Sequence, residues 1–412
     1  MNPVKELPAW ARWALYAFAG ILLLTAVQSI SDTERLTAVS SSREMLRWAV
    51  PIFLAGLGGL FSERAGIVNI GLEGMLIFGM WFGAWGSINY GPWVGLAIGV
   101  GGGAIGGLLH AIATVTFNVD HIISGVAINI LAPALTRFLS DEVWMSPTTS
   151  PATSSPDSVD ILFLGGGNIG SWESPDILLS ISNWDVWFVS DVAQLARGLV
   201  TNVHWVSLLA IALVPVTTWI LWRTRFGLRL RISGENPKAG EAQGINITRY
   251  KYAAVIISGA LAGLGGAFIS TELSPLFQGG NSAGRGFIGL AALIFGNWRP
   301  GGVLIGALLF GYVFGLDLRD LDGTASHALL LVNAVVLFGV TVWAISQKRK
   351  SDIILAGLLG IGSFIWWLSA ETVPNWWSNI LPFVLVLLVL TFFAQRLRAP
   401  SALGLPYRKG EG

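Results

Sequence analysis

The chain has 412 residues, of which only 12% are charged, and its mean hydropathy is +0.65. A soluble domain carries about 25% charged residues, so this composition predicts a membrane protein. The formal net charge of +1 gives no reason to expect nucleic acid as a partner. The absence of cysteine excludes disulfides, thiolate metal sites and a cysteine nucleophile.

Apolar runs predict an all-α polytopic protein with about 10–12 transmembrane helices, some of them short or broken. The first run is interpreted as a retained span, with a cleaved signal peptide as the alternative. The runs 48–61 and 286–297 are short enough to suggest half-helices. The predicted crossings are 13–30, 48–61, 67–87, 93–116, 122–138, 204–222, 252–270, 286–297, 302–316, 325–345, 353–370 and 376–394.

The connecting loops predict the orientation of the chain. Loop 139–203 is long and acidic, which is typical of an extracytoplasmic segment, whereas loop 223–251 is basic and therefore predicted to be cytoplasmic. Basic residues at 348–350 and in the tail after residue 395 indicate the same side. With twelve crossings, both termini are expected in the cytoplasm.

An internal repeat is visible in two ordered blocks. Residues 54–61 (LAGLGGLF) recur as 261–268 (LAGLGGAF), and the pair IGL and LIFG at 70–79 recurs at 288–296. The predicted topology gives the two copies opposite directions across the membrane. An inverted repeat of this kind is typical of transporters with a site near the membrane midplane.

No motif in the chain predicts catalysis or metal binding. There is no G-x-x-x-x-G-K-[ST] phosphate loop, so the chain is not expected to hydrolyse ATP, and no catalytic residue is assigned. The four histidines lie at no ligand spacing, so no metal ligand is assigned either.

Polar residues at membrane depth are the candidates for a substrate path. Asn69 and Glu73 are four residues apart and share one helix face, and an ionisable residue in a span indicates a pathway or a polar contact. The alternative for Glu73 is that it caps a helix or pairs with Arg64.

A second polar group follows the predicted helix cap Asp120. Ser124 and Asn129 enter the next span, where small polar residues either bond across helices or line a cavity. Gln278, Asn281 and Arg285 precede the short run 286–297 and are candidates either for contact with a docked binding protein or for the lining of an outer vestibule.

The basic loop 223–251 contains a short predicted helix. Asn236 and Pro237 form a helix-start signal, and the segment 237–244 makes about two turns ended by Gly244. A helix this short is unstable alone in water, so it needs a partner surface. The alternative is an ordinary surface loop.

Four blocks carry a resemblance to a known family: ERAGIVNIGLEGM, DHIISGVAINILAPALTRFL, TRFGLRLRISGENPKAGEAQGI and GRGFIGLAALIFGNWRPGG. They resemble the permease subunits of bacterial ABC importers in the ribose/branched-chain amino acid permease superfamily, and most of all its nucleoside (simple-sugar-like) permeases. The matching blocks lie between about residues 45 and 320.

The resemblance implies a multi-subunit importer in a bacterial or archaeal plasma membrane. The implied partners are an ATPase subunit carrying ATP and magnesium, a second homologous permease, an extracytoplasmic substrate-binding lipoprotein and the lipid bilayer; no cofactor is expected in this chain. The core permease domain is expected over 1–350. The two spans and the basic tail over 351–412 depart from the family pattern and are interpreted as an addition to it. The residues implied to couple to the ATPase are Gly234, Glu235, Asn236, Pro237, Ala239 and Gly244.

The resemblance implies ATP-driven uptake of nucleosides by alternating access. Neutral polar side chains with aromatic or aliphatic walls suit a nucleoside, but they suit riboflavin or a simple sugar such as ribose equally well. An ion-coupled secondary transporter and a channel or scaffold are the alternatives from other classes.

Overall fold

The computed structural model describes residues 8–169, 172–317, 323–370, 372–374, 377, 380, 384 and 397–407, and these residues are mostly helical. Four two-residue strands lie in the long loop after α5, at Ser158–Val159 (β1), Asn168–Ile169 (β2), Trp172–Glu173 (β3) and Val203–His204 (β4). The helices are α1 Ala9–Ile30, α2 Val39–Arg64, α3 Leu72–Tyr90, α4 Pro92–Ala111, α5 His121–Trp144, α6 Ile177–Ser182, α7 Val189–Gly198, α8 Trp205–Arg223, α9 Arg225–Glu235, α10 Pro237–Ala242, α11 Ile247–Phe268, α12 Arg285–Phe295, α13 Pro300–Asp317, α14 Thr324–Ser346 and α15 Lys350–Ser369.

The all-α polytopic class is confirmed. Eleven of the twelve predicted crossings coincide with a helix, and the twelfth, 376–394, falls largely outside the described residues. Within the described part of the chain, seven helices are long and apolar enough to cross a membrane. They are Val39–Arg64, Pro92–Thr116, His121–Trp144, Trp205–Arg223, Ile247–Leu273, Thr324–Ser346 and Lys350–Ser369. Two of these spans are longer than α4 and α11, because they include the π-helical turns Ile112–Thr116 and Ile269–Leu273 that continue those helices.

The two runs predicted as half-helices differ in the structure. The run 286–297 forms the 11-residue helix α12, as expected. The expectation for 48–61 is wrong, because this run is the second part of the 26-residue helix α2. The polar start of α2 gives no hydropathy signal, yet Ser41 and Ser42 are buried there, so protein contacts extend the helix.

One compact unit comprises residues 1–45, 159–203 and 312–388. Helices α14 and α15 pack together, and Asn333 donates a hydrogen bond to Ser363 at 2.9 Å between them. The outer face of α15 is strongly exposed, as at Leu358, and such apolar exposure is typical of a surface that contacts lipid. Strands β2 and β3 form an antiparallel pair in the long loop of this unit.

The second compact unit comprises residues 46–158, 204–311 and 389–412, and its centre is formed by α3, α4 and α11. These helices meet at glycines. A Cβ on Gly79 would lie 2.1 Å from the Gly263 carbonyl oxygen, and one on Gly103 would lie 2.2 Å from that of Gly259. Small residues of this kind allow close helix packing inside a membrane.

The two copies of the repeat run in opposite directions within this unit. In the α2–α11 pair, Gly58 approaches Ser258 whereas Pro51 approaches Gly265, so the two LAGLGG helices are antiparallel. Helix α12 runs with α2, because Gly289 lies against Ile52 and Leu293 lies against Gly59. Helix α3 runs with α11, because Gly79 lies against Gly263 and Gly83 lies against Ala267. Each element of the first copy therefore opposes its counterpart in the second.

Candidate functional site

A cavity of about 610 Å³ opens in the second unit. Its α5 wall runs from Val126 to Arg137, which is roughly 16 Å along the helix at about 1.5 Å per residue. The residues around it are Ile70, Glu73, Ile77, Met80, Val126, Asn129, Ile130, Pro133, Thr136, Arg137, Pro147, Thr148, Phe277, Gln278, Gly279, Gly280, Ser282 and Phe287.

Glu73 lines this cavity where the first turns of α3 and α12 meet. Its side chain is 7% exposed. The Oε1 atom accepts from the Gly284 amide at 3.0 Å and Oε2 accepts from the Gly286 amide at 2.6 Å. These amides belong to the start of α12, where helix N–H groups have no partner of their own. Glu73 therefore caps α12, which is one of the two structural roles that the sequence left open for it.

Asn129 lines the same cavity and joins α5 to the start of α3. Its Oδ1 accepts from the Gly74 amide at 2.8 Å, and its Nδ2 donates to the Ile70 carbonyl at 3.0 Å. Both ends of the amide are thus used between helices, while the side chain still forms part of the cavity wall.

Asn69 and Ser124, the other two residues predicted for the path, lie outside the cavity lining. Asn69 is fully buried and donates to Ser258 Oγ at 2.8 Å. Ser124 is 6% exposed and its hydroxyl lies 2.9 Å from Nδ1 of His110. The structure therefore brings together two of the four predicted residues, and the assignment of the path to all four stays a prediction.

The basic loop carries the predicted short helix, α10. Asn236 caps it by accepting from the Ala239 amide at 3.0 Å, and Pro237 occupies the first turn. The chain turns after the helix at Gly244, whose φ is +75°. Lys238 and Ala239 point outwards and are exposed.

The junction before α10 is packed against the end of α2. A Cβ on Gly234 would lie 2.3 Å from the Arg64 carbonyl oxygen. The Arg64 guanidinium pairs with Glu235 at 3.7 Å and donates to the Trp298 carbonyl at 2.7 Å. Arg64 is therefore engaged at the α10 end of the unit, and Glu73 uses other partners.

Residues 42–319 match a family described as the permease component of the branched-chain amino acid transport system. The chain belongs to this permease family. Among curated proteins, the permease is 32% identical over 373 residues to a guanosine ABC transporter permease protein of Bacillus subtilis, covering 89% of this chain and 95% of that protein.

Two further relatives differ in the substrate that their names give. The permease is 37% identical over 276 residues to a nucleoside ABC transporter permease protein of Lactococcus lactis, covering 65% of this chain and 78% of the relative. It is 33% identical over 274 residues to a putative glucose ABC transporter permease protein of Haloferax volcanii, covering 66% and 75%. No solved structure matches the permease.

Several cavity residues of the permease carry no clear sequence signal. Phe277 is buried and its ring is tilted by 38° against that of Trp144, with ring centroids 6.1 Å apart, whereas Phe287 is 46% exposed. Both are ordinary apolar residues in the sequence. Arg137 is the cavity residue that the sequence could have indicated, because it is an ionisable residue inside the predicted span 122–138. Gln278 lines the cavity as well, from the group predicted for the outer vestibule.

The cavity combines a mostly apolar wall with a few amide, hydroxyl and charged groups. Sites for small molecules have this composition and volumes of about 300–1,000 Å³. Among the described residues of the permease, no group of three histidine, aspartate or glutamate side chains could hold a metal ion. The geometry is therefore suited to non-covalent recognition of a small organic solute.

Proposed function

We propose that this permease is the membrane subunit of an ATP-driven importer that takes up nucleosides by alternating access. The observation that carries the proposal is the cavity, where Phe277 and Phe287 offer apolar aromatic surface and Asn129 and Gln278 offer amide groups. An aromatic ring suits the flat face of a nucleobase. Amide and carboxylate groups suit ring nitrogens and ribose hydroxyls.

The alternating-access part of the proposal rests on the antiparallel copies. Helices α2 and α3 oppose α11 and α12, and the first turns of α3 and α12 meet at Glu73 beside the cavity. Two oppositely directed repeats around one site can exchange inward- and outward-open states by rocking against each other. Asn69 and Ser124 lie just beyond the cavity and remain candidates for the path.

The energy would enter through α10. Its exposed face, with Lys238 and Ala239, offers a surface for a separate ATPase that holds ATP and magnesium, since this chain has no phosphate loop. The proposed assembly also includes a second permease subunit and an extracytoplasmic substrate-binding protein. The proposed orientation in a bacterial or archaeal plasma membrane puts α10 and both termini in the cytoplasm.

A sugar is the second candidate substrate, since one relative is named as a glucose permease. A nucleoside and a sugar differ in the nucleobase, because a sugar has no flat aromatic group to place against Phe287. Riboflavin, which does have one, is the third compound to compare.

The decisive experiment measures uptake into cells that produce the permease with its ATPase, partner permease and binding protein. Labelled guanosine should accumulate, and unlabelled nucleosides should compete with it better than glucose, ribose or riboflavin. An ATPase inactivated at its phosphate loop should abolish uptake, whereas a proton ionophore with ATP maintained should not. Preferred uptake of a sugar would overturn the nucleoside assignment. Uptake that survives loss of the ATPase but not the ionophore would favour a secondary transporter.

A further inference from the structure

The C-terminal segment 397–407, here called the strap, lies against the α10 end of the second unit. The Ala402 amide donates to the Gly234 carbonyl at 2.8 Å, and the Gly404 amide donates to the Gly66 carbonyl at 3.1 Å. Ala402 is 8% exposed. The strap thus bonds through its backbone to the junction before α10 and to the turn after α2.

Glycine makes this contact possible. Gly66 has a φ of +88°, a conformation that side chains disfavour. A Cβ there would also lie 3.2 Å from both the Ala402 oxygen and the Gly234 Cα. Three backbone segments therefore meet with no side chain between them, which is a specific packing arrangement and not a loose tail on a surface.

Side chains extend the contact on both flanks. The amide and the hydroxyl of Ser401 each donate to Glu235 Oε2 at 3.1 Å. At the near end, the Arg398 amide donates to Asn297 Oδ1 at 2.7 Å. The strap therefore reaches the end of α9 and the turn after α12.

Tyr407 completes the contact at the far end. Its ring lies over the ammonium of Lys251 on α11, 5.4 Å away, and its hydroxyl bonds to Glu241 on α10. Burial, together with the bond to Glu241, raises the pKa of Tyr407 to about 12, so the phenol stays protonated and donates. This residue links α10 directly to a membrane helix.

The strap leaves the outer face of α10 free. Lys238, Ala239, Ala242 and Gln243 are exposed. A segment that blocked docking would cover these residues. The strap instead holds the junction and one flank of α10, so a partner can bind the outer face while the strap stays in place.

We propose that the strap is a positioning element that locks the coupling helix α10 to the ends of α2 and α11. A displacement of α10 by the ATPase is then passed to both repeat copies and is not absorbed by bending at Glu235 and Asn236. The strap stays docked throughout the transport cycle. This inference rests on the proposed function only for the ATPase that displaces α10. The docking of the strap can be tested without transport.

The cysteine-free sequence makes docking measurable by disulfide formation. Asn297→Cys and Arg398→Cys together should cross-link in membranes under mild oxidation. Adding Ala402→Glu should slow the cross-link about tenfold. A carboxylate at this buried position displaces the strap and so breaks about two backbone hydrogen bonds, those to Gly234 and Gly66. Adding Ala399→Glu, at an exposed position three residues away, should not. Equal cross-linking rates in the two variants would overturn the docking.

Coupling is the second measurement. Ala402→Glu should lower uptake per ATP hydrolysed about tenfold while the ATPase still co-purifies, and Ala399→Glu should leave the ratio unchanged. If Ala402→Glu does not accumulate in the membrane, Tyr407→Ala replaces it, because it removes both the ring over Lys251 and the bond to Glu241. Leu405→Ala, at an exposed position of the strap, is its control and should leave the ratio unchanged. An unchanged ratio, or loss of ATPase binding, would overturn the positioning role.

The oxidised Asn297→Cys/Arg398→Cys permease should retain uptake, because the strap need not release. Loss of uptake that a reductant restores would show a releasing latch and overturn the proposal. If the native permease takes up no nucleoside, the proposed function fails, while the cross-linking result still decides whether the strap docks.

Discussion

The cavity and the α10 end of the second unit differ in the groups that hold their segments together. Around the cavity, the side chains of Glu73 and Asn129 join helices by bonding to backbone groups, and the walls between them are apolar. At the α10 end, backbone meets backbone at Gly66 and Gly234. Substitutions in the cavity wall can therefore alter which solute is recognised, whereas the α10 end depends on backbone shape.

The largest expected effect on stability tests that dependence. Gly234→Ala places a methyl group 2.3 Å from the Arg64 carbonyl oxygen and should lower the free energy of unfolding by about 1–3 kcal/mol, the usual range for overpacking. Thermal unfolding of the purified permease measures this loss of stability. Gly301→Ala is the control, since nothing lies within 4 Å of that position. Equal melting temperatures in the two variants would show that the α10 end does not depend on close backbone packing at Gly234.

Glu73→Gln tests the cavity side of the comparison. The carbonyl oxygen of glutamine can still accept from one of the Gly284 and Gly286 amides, but its NH2 group cannot accept from the other. One buried donor therefore loses its acceptor, at a cost of about 1–3 kcal/mol. Stability and uptake should fall together, while Glu142→Gln, at an exposed position, should change neither. Reduced uptake at unchanged stability would instead assign Glu73 to direct substrate contact.

Phe287→Ala should separate recognition from stability. The ring is 46% exposed and lines the cavity, so its removal should raise the apparent KM for guanosine about threefold to tenfold, which corresponds to about 0.5–1.5 kcal/mol of aromatic contact. The melting temperature should hardly change. Phe138→Ala removes an exposed ring outside the cavity lining and is the control. Equal KM values in both variants would exclude Phe287 from the site.

Ala239→Trp should have the smallest effect on stability, within about 0.5 kcal/mol, because the position is exposed. A bulky side chain on the outer face of α10 should nevertheless disturb ATPase docking and lower uptake per ATP hydrolysed, while binding of the substrate-loaded receptor persists. Ala134→Trp, exposed on α5, is the control. Normal coupling in Ala239→Trp would place the ATPase contact elsewhere.

Local signals predicted the local features well. The start of α10 at Asn236 and Pro237, the cap at Asp120 and the short helix α12 were all readable, because each depends on residues close together in sequence. The length of α2 was not readable, because its first turns are polar and give no hydropathy signal. Those turns are stabilised by burial against distant segments, which no window of sequence can show.

The sequence alone determined the membrane class, the position of most helices and the repeat, because bilayer length and helix periodicity act over about 20 neighbouring residues. Only the tertiary structure decided which polar residues share a space. Glu73 and Asn129 line one cavity with Phe277 and Phe287, while Asn69 and Ser124 bond to other partners outside its lining. The contact of Ala402 with Gly234 and Gly66 joins residues more than a hundred positions apart, and a pairing of backbone groups leaves no pattern in side-chain chemistry.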